Sequence, residues 1–229
     1  GSSGRQWSSL TAALSPHLSI VAPDLLGYAD TLRWPTGKPA SLDDEADRLA
    51  PLVPADGVDV FGHSYGAAVA LQVALRWPER VRSLTLYEPV RFALLFGDPR
   101  TQAAGEWVVG VGRRIGLDVL SGNVGAAAER FVDYWSGDGT WATMAPRHQH
   151  ALAERMPKVH AEFEALFADR VPASAYRALP MPVHLIGGAR SPLPARMVLD
   201  VLADALPRAT RTTLAGLGQA RPAVDVRVV

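Results

Sequence analysis

The sequence predicts an α/β fold: a mostly parallel central sheet with helices on both faces, and a helical cap. Three observations lead to this prediction. Short apolar runs alternate with segments whose apolar residues recur at helical spacing, which is typical of a parallel sheet covered by helices. A serine between two glycines stands where one predicted strand ends and a helix begins. A long helical stretch without a strand then interrupts the alternation.

The first part of the chain carries three predicted strands and two predicted helices. The strands are residues 18–23, 58–61 and 83–87, and the helices are residues 42–53 and 65–77. The first run ends at Pro23, so we expect a buried strand there. Ser41 and Asp44 have the spacing of a capping box, which sets the start of the first helix.

The later part of the chain returns to the same alternation after a long excursion. Residues 182–188 and 210–216 are predicted strands, and residues 194–206 a helix between them. Residues 98–170 contain helical patterns and no convincing strand, and an excursion of that length indicates a lid. The predicted division is therefore a core of residues 1–97 and 171–229, expected to lack its first strands, and a helical cap of residues 98–170.

Composition excludes several functional classes. Lysine plus arginine and aspartate plus glutamate both number 23, and this balance argues against nucleic acid or an anionic membrane as partner. The absence of cysteine excludes disulfides, thiolate metal sites and a cysteine nucleophile. No apolar run reaches the roughly 18 residues of a spanning helix, and no signal peptide is visible. We expect a cytoplasmic monomer or homodimer that binds a small apolar molecule and needs no cofactor or metal.

The serine between the glycines is the strongest candidate for chemistry. In parallel sheets ligands bind beyond the carboxyl ends of the strands, where Ser64 lies. A serine nucleophile projects from a tight strand-to-helix turn, so the residues two before and two after it must be small. Gly62 and Gly66 meet that demand. The backbone N–H of Tyr65, at the start of the next helix, is then placed to stabilise an oxyanion.

With these motifs in place, the chain resembles the α/β-hydrolase fold superfamily, in its serine hydrolase or esterase-like branch with a cap domain. The resemblance extends over nearly the whole length. It rests on the stretches SGRQW, VAPDLLGY, GHSYG, WPERVRSLTLYEP, PVHLIGG and TTLAGLG. It implies a hydrolase whose serine attacks a small apolar ester, or a carbon–carbon bond next to a carbonyl.

The resemblance also implies a catalytic carboxylate. Many members carry it in the loop after the strand assigned to residues 182–188, but here Ser191 stands in that loop. A second family position is the end of the preceding core strand, where this chain has Glu88. We therefore predict Glu88 as the catalytic acid that orients an imidazole. The alternative is a structural carboxylate that caps the next helix or pairs with Arg91.

The catalytic histidine implied by the family is not visible. Its expected position, after the last core strand, reads Gln219, and an amide is not a useful base near neutral pH. The six histidines present are His17, His63, His148, His150, His160 and His184, and none has the expected place. Two explanations stay open. Either the chain has lost its base and serves as a ligand-binding protein, a lyase or a cyclase, or the given chain omits residues, including the histidine.

The predicted cap carries an aromatic cluster. Trp135 and Trp141 flank the short turn at residues 136–139, which we expect at the mouth of a pocket. We predict these two side chains as pocket walls for an apolar substrate. The alternative is that they pack the cap onto the core.

Overall fold

The computed structural model of the protein describes residues 4–28 and 38–218. Its sheet has four strands in the order β1-β2-β3-β4. They are β1 (Val58–His63), β2 (Val81–Tyr87), β3 (Val183–Gly188) and β4 (Ala209–Leu214). Every neighbouring pair is parallel, which confirms the predicted fold class. Because the strands are parallel, all four carboxyl ends lie at one edge of the sheet.

Eight α-helices accompany this sheet in the described residues. They are α1 (Ser8–Leu14), α2 (Leu42–Leu49), α3 (Tyr65–Arg76), α4 (Pro99–Leu120), α5 (Val124–Ser136), α6 (Pro146–Ala153), α7 (Met156–Ala168) and α8 (Leu193–Ala205). The Ser41 hydroxyl accepts a hydrogen bond from the Asp44 backbone N–H at 3.2 Å, as the capping pattern predicts. The predicted helices 65–77 and 194–206 each agree with the structure within one residue at either end.

The core lies where helices meet the sheet. Helix α3 contacts both β1 and β2, and α8 contacts β3 and β4. Small side chains such as Ala67 and Ala68 are fully buried, so α3 approaches the strands closely. Leu84 and Leu86 of β2 are at most 1% exposed because this strand lies inside the sheet. The strands whose carboxyl ends form this edge are therefore closely packed against helices.

Residues 98–170, which we call the helical insertion, contain α4 to α7, and throughout this fully described range no strand occurs. Helix α4 contacts α5 and α7 within the insertion and α8 outside it. The division of the chain into a core domain and a cap domain stays a prediction. Over residues 4–28 and 38–218, no helix combines the length and apolar character needed to span a bilayer.

The strand predicted at residues 18–23 is wrong. These residues have no regular secondary structure, and Leu18 and Val21 are 56% and 65% exposed. A strand is stabilised by hydrogen bonds to a neighbour, and in the described sheet β1 pairs with β2 alone. An apolar, β-branched run without such a neighbour stays irregular even though its composition favours a strand.

Candidate active site

The turn between β1 and α3 holds Ser64 in a strained conformation. Its φ is 55° and its ψ is −122°, a region that residues other than glycine rarely occupy. The Ser64 N–H donates to the Tyr87 carbonyl at 3.0 Å, and the Ser64 carbonyl accepts from the N–H groups of Ala67 and Ala68. Ser64 therefore makes the last hydrogen bond of β1 to its neighbouring strand and the first hydrogen bonds of α3.

Only one of the two flanking glycines is required for space. A Cβ atom at Gly62 would lie 2.6 Å from both the Ala67 Cα and the Gly66 carbonyl oxygen, where no side chain fits. A Cβ at Gly66 would meet no atom of the described residues within 4 Å. The expectation that the residue must be small is therefore confirmed at Gly62. It is wrong at Gly66, because this residue lies in the first turn of α3, where a Cβ atom would point into open space.

Glu88 lies in the matching place on the neighbouring strand. The β1–β2 register pairs His63 with Tyr87, so Ser64 and Glu88 each directly follow a paired residue. Glu88 has a φ of 50°, and its N–H donates to the Ile186 carbonyl at 2.8 Å. In the described chain, Ser64 and Glu88 are the only residues other than glycine with a positive φ. Strain of this kind gathers at functional sites.

The Glu88 carboxylate is fully buried. Its Oε1 atom accepts hydrogen bonds from the Ser191 hydroxyl at 2.6 Å and from the Gly188 backbone N–H. Its Oε2 atom has no hydrogen-bond partner among the described residues. Burial raises the pKa of this carboxyl, and the bonds from Ser191 and Gly188 oppose that rise. A buried acceptor without a partner is uncommon, and a water or a further side chain can satisfy it.

Ser191 connects the loop after β3 to Glu88. Its hydroxyl, in the loop where the resemblance implies an acid, donates a hydrogen bond to the Glu88 carboxylate at 2.6 Å. The loop after β3 and the end of β2 therefore meet at one point of the carboxyl edge.

Arg91 does not pair with Glu88. Its guanidinium is fully buried and binds both carboxylate oxygens of Asp169, at 2.5 and 3.0 Å. It also donates to the Gln72 side chain at 2.7 Å and lies 5.6 Å from the centre of the Tyr176 ring. The alternative in which Glu88 pairs with Arg91 is therefore excluded. Arg91 instead connects the segment after β2 to the end of α7.

A cavity of about 1050 Å³ opens at the turn, and both Ser64 and Tyr65 line it. Its wall on the helical insertion is mostly apolar and includes Phe131, Val132, Trp135, Val159, Phe163 and Leu166. Trp135, predicted as a pocket wall, is 8% exposed and stacks on Phe92 with ring centres 6.4 Å apart. Trp141 is not a lining residue, although its neighbour Thr140 is. The prediction for Trp141 is thus not met, because the Asp133 carboxylate holds its backbone N–H at 2.8 Å and its ring packs against the core.

Two polar side chains in this cavity were missed by the sequence analysis. The Tyr28 hydroxyl donates to the Glu162 carboxylate at 2.7 Å, and both residues line the cavity. Glu162 lies within an ordinary amphipathic helix, and the two residues are 134 positions apart in the chain. No local pattern distinguishes such a glutamate from one on a solvated face.

Among the described histidines, His63 alone lines the cavity. Its ring stacks on Tyr87 with centres 5.0 Å apart and meets Trp7 edge-on at 6.3 Å. His184 lies within β3, and its Nε2 is 2.9 Å from the Thr212 hydroxyl. The remaining four, His17, His148, His150 and His160, lie outside the cavity lining. Gln219, at the family's histidine position, lies outside the described residues.

The described part of the loop after β4 lies at the carboxyl edge. The Tyr87 hydroxyl donates to the Gly218 carbonyl at 3.5 Å, and the Arg190 N–H donates to the Leu217 carbonyl at 2.9 Å. Gly218 immediately precedes Gln219 in the chain, and Tyr87 immediately precedes Glu88. The described part of this loop therefore approaches the strand end that carries the buried carboxylate.

Comparison with known proteins gives a family match over almost the entire chain. The model described as "Alpha/beta hydrolase family" matches residues 1–227. A pimeloyl-(acyl-carrier protein) methyl ester esterase of Aromatoleum aromaticum is 32% identical over 212 residues, covering 89% of this chain and 81% of the relative. A 2-hydroxy-6-oxo-2,4-heptadienoate hydrolase of Pseudomonas putida is 37% identical over 83 residues, covering 35% of this chain and 30% of the relative. In such short alignments the chain spans about a third of the length of the curated relatives it matches.

Solved structures agree on the fold. An α/β hydrolase from Sphaerobacter thermophilus superposes with a TM-score of 0.66 at 23% identity, covering 93% of this chain and 80% of that one. At this identity the likeness concerns the architecture alone.

Proposed function

We propose that this chain, which belongs to the α/β-hydrolase family, is a serine hydrolase that cleaves small apolar esters with Ser64 as nucleophile. The observation that carries the proposal is the strained serine at the strand-to-helix turn, open to an apolar cavity. Backbone strain at a single polar residue is costly, by about 1–3 kcal/mol, and is kept where it positions a reacting group.

The proposed reaction begins with attack of the Ser64 hydroxyl oxygen on the ester carbonyl, while the hydroxyl proton passes to a base. The negative charge that develops on the carbonyl oxygen meets the backbone N–H of Tyr65, the first residue of α3. The first N–H groups of a helix have no partner within the helix and favour negative charge. Release of the alcohol leaves an acyl-serine, which water then hydrolyses.

Glu88 is proposed as the acid that orients the base. Its Oε2 atom, without a partner among the described residues, is the acceptor for an imidazole N–H. Its Oε1 atom is held by Ser191 and Gly188, so the carboxylate is already fixed in one rotamer. A buried, oriented carboxylate stabilises the imidazolium that forms when the serine proton is taken up.

The charges in the cavity favour a neutral ester over a substrate that bears a carboxylate, such as the heptadienoate in the name of the Pseudomonas putida relative. Glu162 places an acidic side chain in the cavity wall. Among the described lining residues the single lysine or arginine is Arg82, which is paired with Asp59 at 3.0 Å. The Lys158 ammonium lies 3.7 Å from Glu162 but is shared with Glu45, so a substrate carboxylate buried beside Glu162 would compete with two carboxylates for one cation. Burial of a charge without a cation of its own is costly.

The second candidate is a family member that binds a small molecule without forming an acyl-enzyme, or that acts as a lyase or cyclase. Gln219 favours it, because a glutamine cannot take the serine proton. The two candidates differ in one measurable property, the reactivity of the Ser64 hydroxyl.

The test is covalent labelling of the purified wild-type protein with a fluorophosphonate probe at neutral pH, together with a substrate panel. We expect time-dependent labelling at Ser64 and hydrolysis of p-nitrophenyl butyrate, with a much lower kcat/KM for an ester whose acyl chain ends in a carboxylate. Absence of both labelling and hydrolysis would favour the second candidate. Preference for the carboxylated ester would contradict the assignment of a neutral substrate.

Glu88→Gln is expected to slow fluorophosphonate labelling by about a hundredfold or more, since a general base that is wrongly oriented loses most of its effect. The unfolding free energy should change little, because the glutamine carbonyl still accepts from Ser191 and the variant no longer buries a carboxylate whose pKa is raised by burial. Labelling rates followed by intact mass, and urea unfolding, measure the two effects. The matched control is Glu79→Gln, which removes a glutamate that is 68% exposed.

A double variant tests whether the position of the carboxylate or its identity matters. In Glu88→Ala/Ser191→Asp the acid moves to the loop after β3, toward the same point of the carboxyl edge. We expect labelling faster than in Glu88→Ala alone. Equal rates in these two variants would argue that Glu88 has a structural role.

A further inference from the structure

Three charged side chains are buried together between α2 and α7. Lys158 of α7 places its ammonium 2.8 Å from Glu45 of α2 and 3.7 Å from Glu162. Each of the three side chains is at most 8% exposed. None of them takes part in the bond-making steps proposed above, where Glu162 enters only through the charge of the cavity wall. Burial of two carboxylates around one ammonium is unfavourable unless further hydrogen bonds satisfy the acidic oxygens.

Two tyrosines and one backbone group supply those bonds. The Tyr28 hydroxyl donates to Glu162 at 2.7 Å, the Tyr65 hydroxyl donates to Glu45 at 3.5 Å, and the Leu26 N–H donates to Glu45 at 3.0 Å. Burial raises the pKa of both tyrosines well above the usual range, so both hydroxyls stay protonated and act as donors. The Lys158 ammonium also lies over both rings, 5.5 Å from the centre of Tyr28 and 5.0 Å from that of Tyr65.

The network joins four separate parts of the chain. Lys158 and Glu162 belong to the helical insertion, Glu45 to α2, and Tyr28 to the segment before it. Tyr65 belongs to the turn itself, as the residue directly after Ser64. Because Lys158 contacts the Tyr65 ring and the Glu45 carboxylate that accepts from its hydroxyl, the insertion reaches the serine turn through one ammonium group.

We propose that Lys158 is a positioning residue, which docks α7 of the helical insertion on the serine turn and thereby holds Tyr65 in place. The backbone N–H of Tyr65 is the proposed oxyanion donor, so a shift of this residue weakens stabilisation of the developing charge. The catalytic part of this inference rests on the proposed function; the docking part does not. Lys158 itself is not among the described residues that line the cavity, so it is expected to act through Tyr65.

Lys158→Met tests the proposal with two readouts. We expect fluorophosphonate labelling of Ser64 to slow by about 10- to 100-fold, the range that follows small misplacements of catalytic groups. For an ester substrate kcat should fall by the same factor with little change in KM. Backbone hydrogen exchange should accelerate in the first turn of α3 and in α7, and not in β3. Lys158→Arg, which keeps the charge, should recover most of the labelling rate.

A neutral variant guards against simple unfolding, since Lys158→Met leaves two buried carboxylates without their cation. In Glu45→Gln/Lys158→Met/Glu162→Gln all three charges are removed together, and we expect the protein to stay folded while labelling remains slow. The control is Arg130→Met, which breaks an ion pair between α5 and α4 at a side chain that is 41% exposed. Wild-type labelling and wild-type exchange in the folded triple variant would overturn the proposal. If wild-type protein is not labelled at all, the proposed function fails, and hydrogen exchange alone then decides the docking role.

Discussion

Ser64→Ala is expected to abolish covalent labelling by a fluorophosphonate probe and to lower ester hydrolysis by several orders of magnitude. The hydroxyl is the proposed attacking group, and removal of a nucleophile leaves only the residual effect of substrate binding and the oxyanion donor, about 10³- to 10⁴-fold over water. Labelling followed by intact mass and initial rates with p-nitrophenyl butyrate measure the loss. Ser121→Ala, at an exposed serine that ends α4, is the matched control and should behave as wild type.

The rate at which the probe labels wild-type protein tests whether Gln219 replaces the catalytic base. If glutamine stands in place of the base, Ser64 keeps an ordinary hydroxyl pKa and labelling is slow. Gln219→His should then increase the labelling rate, and Ser64→Ala should remove that increase. Rapid labelling of a wild-type chain whose glutamine has been verified by mass would contradict the missing-base argument and point to another histidine. Labelling that survives Ser64→Ala would place the nucleophile elsewhere.

Arg91→Met is expected to lower the free energy of unfolding by about 3–5 kcal/mol, the range found when one partner of a buried ion pair is removed. Arg91 is fully buried, and its partner Asp169 is 7% exposed, so the variant leaves a carboxylate in the interior without a cation. The hydrogen bond to Gln72 is lost as well. Urea unfolding of wild type and variant, monitored by circular dichroism, measures the difference.

Two comparisons separate the buried charge from lost packing. Arg91→Met/Asp169→Leu removes both charges and should recover much of the loss, since apolar replacements of a buried ion pair are often neutral or stabilising. Arg130→Met breaks the exposed pair with Asp118 and should cost at most about 1 kcal/mol. A loss of similar size in Arg91→Met and Arg130→Met would contradict the importance of the Arg91 network.

The sequence by itself determined the local elements of this protein. Apolar residues at helical spacing predict α2, α3 and α8, and the cap at Ser41 predicts where α2 begins. Both signals depend only on residues that are close together in the sequence. The serine turn was predictable for the same reason, because its glycine before Ser64 and the abrupt change from strand to helix lie within a few residues. The helical insertion was predictable because residues 98–170 show helical periodicity and no strand pattern.

Only the tertiary structure decided which distant residues meet. Ser191 and Glu88 are 103 positions apart, and the order and register of the strands bring them into one hydrogen bond. Glu45 and Lys158 are 113 positions apart, and each resembles a surface residue in its own helix. The irregular segment at residues 18–23 shows the converse. Its composition favours a strand, but no strand in residues 4–28 and 38–218 pairs with it. Periodicity and capping act between adjacent turns of the chain, whereas pairing of strands and burial of charges depend on how separate elements pack.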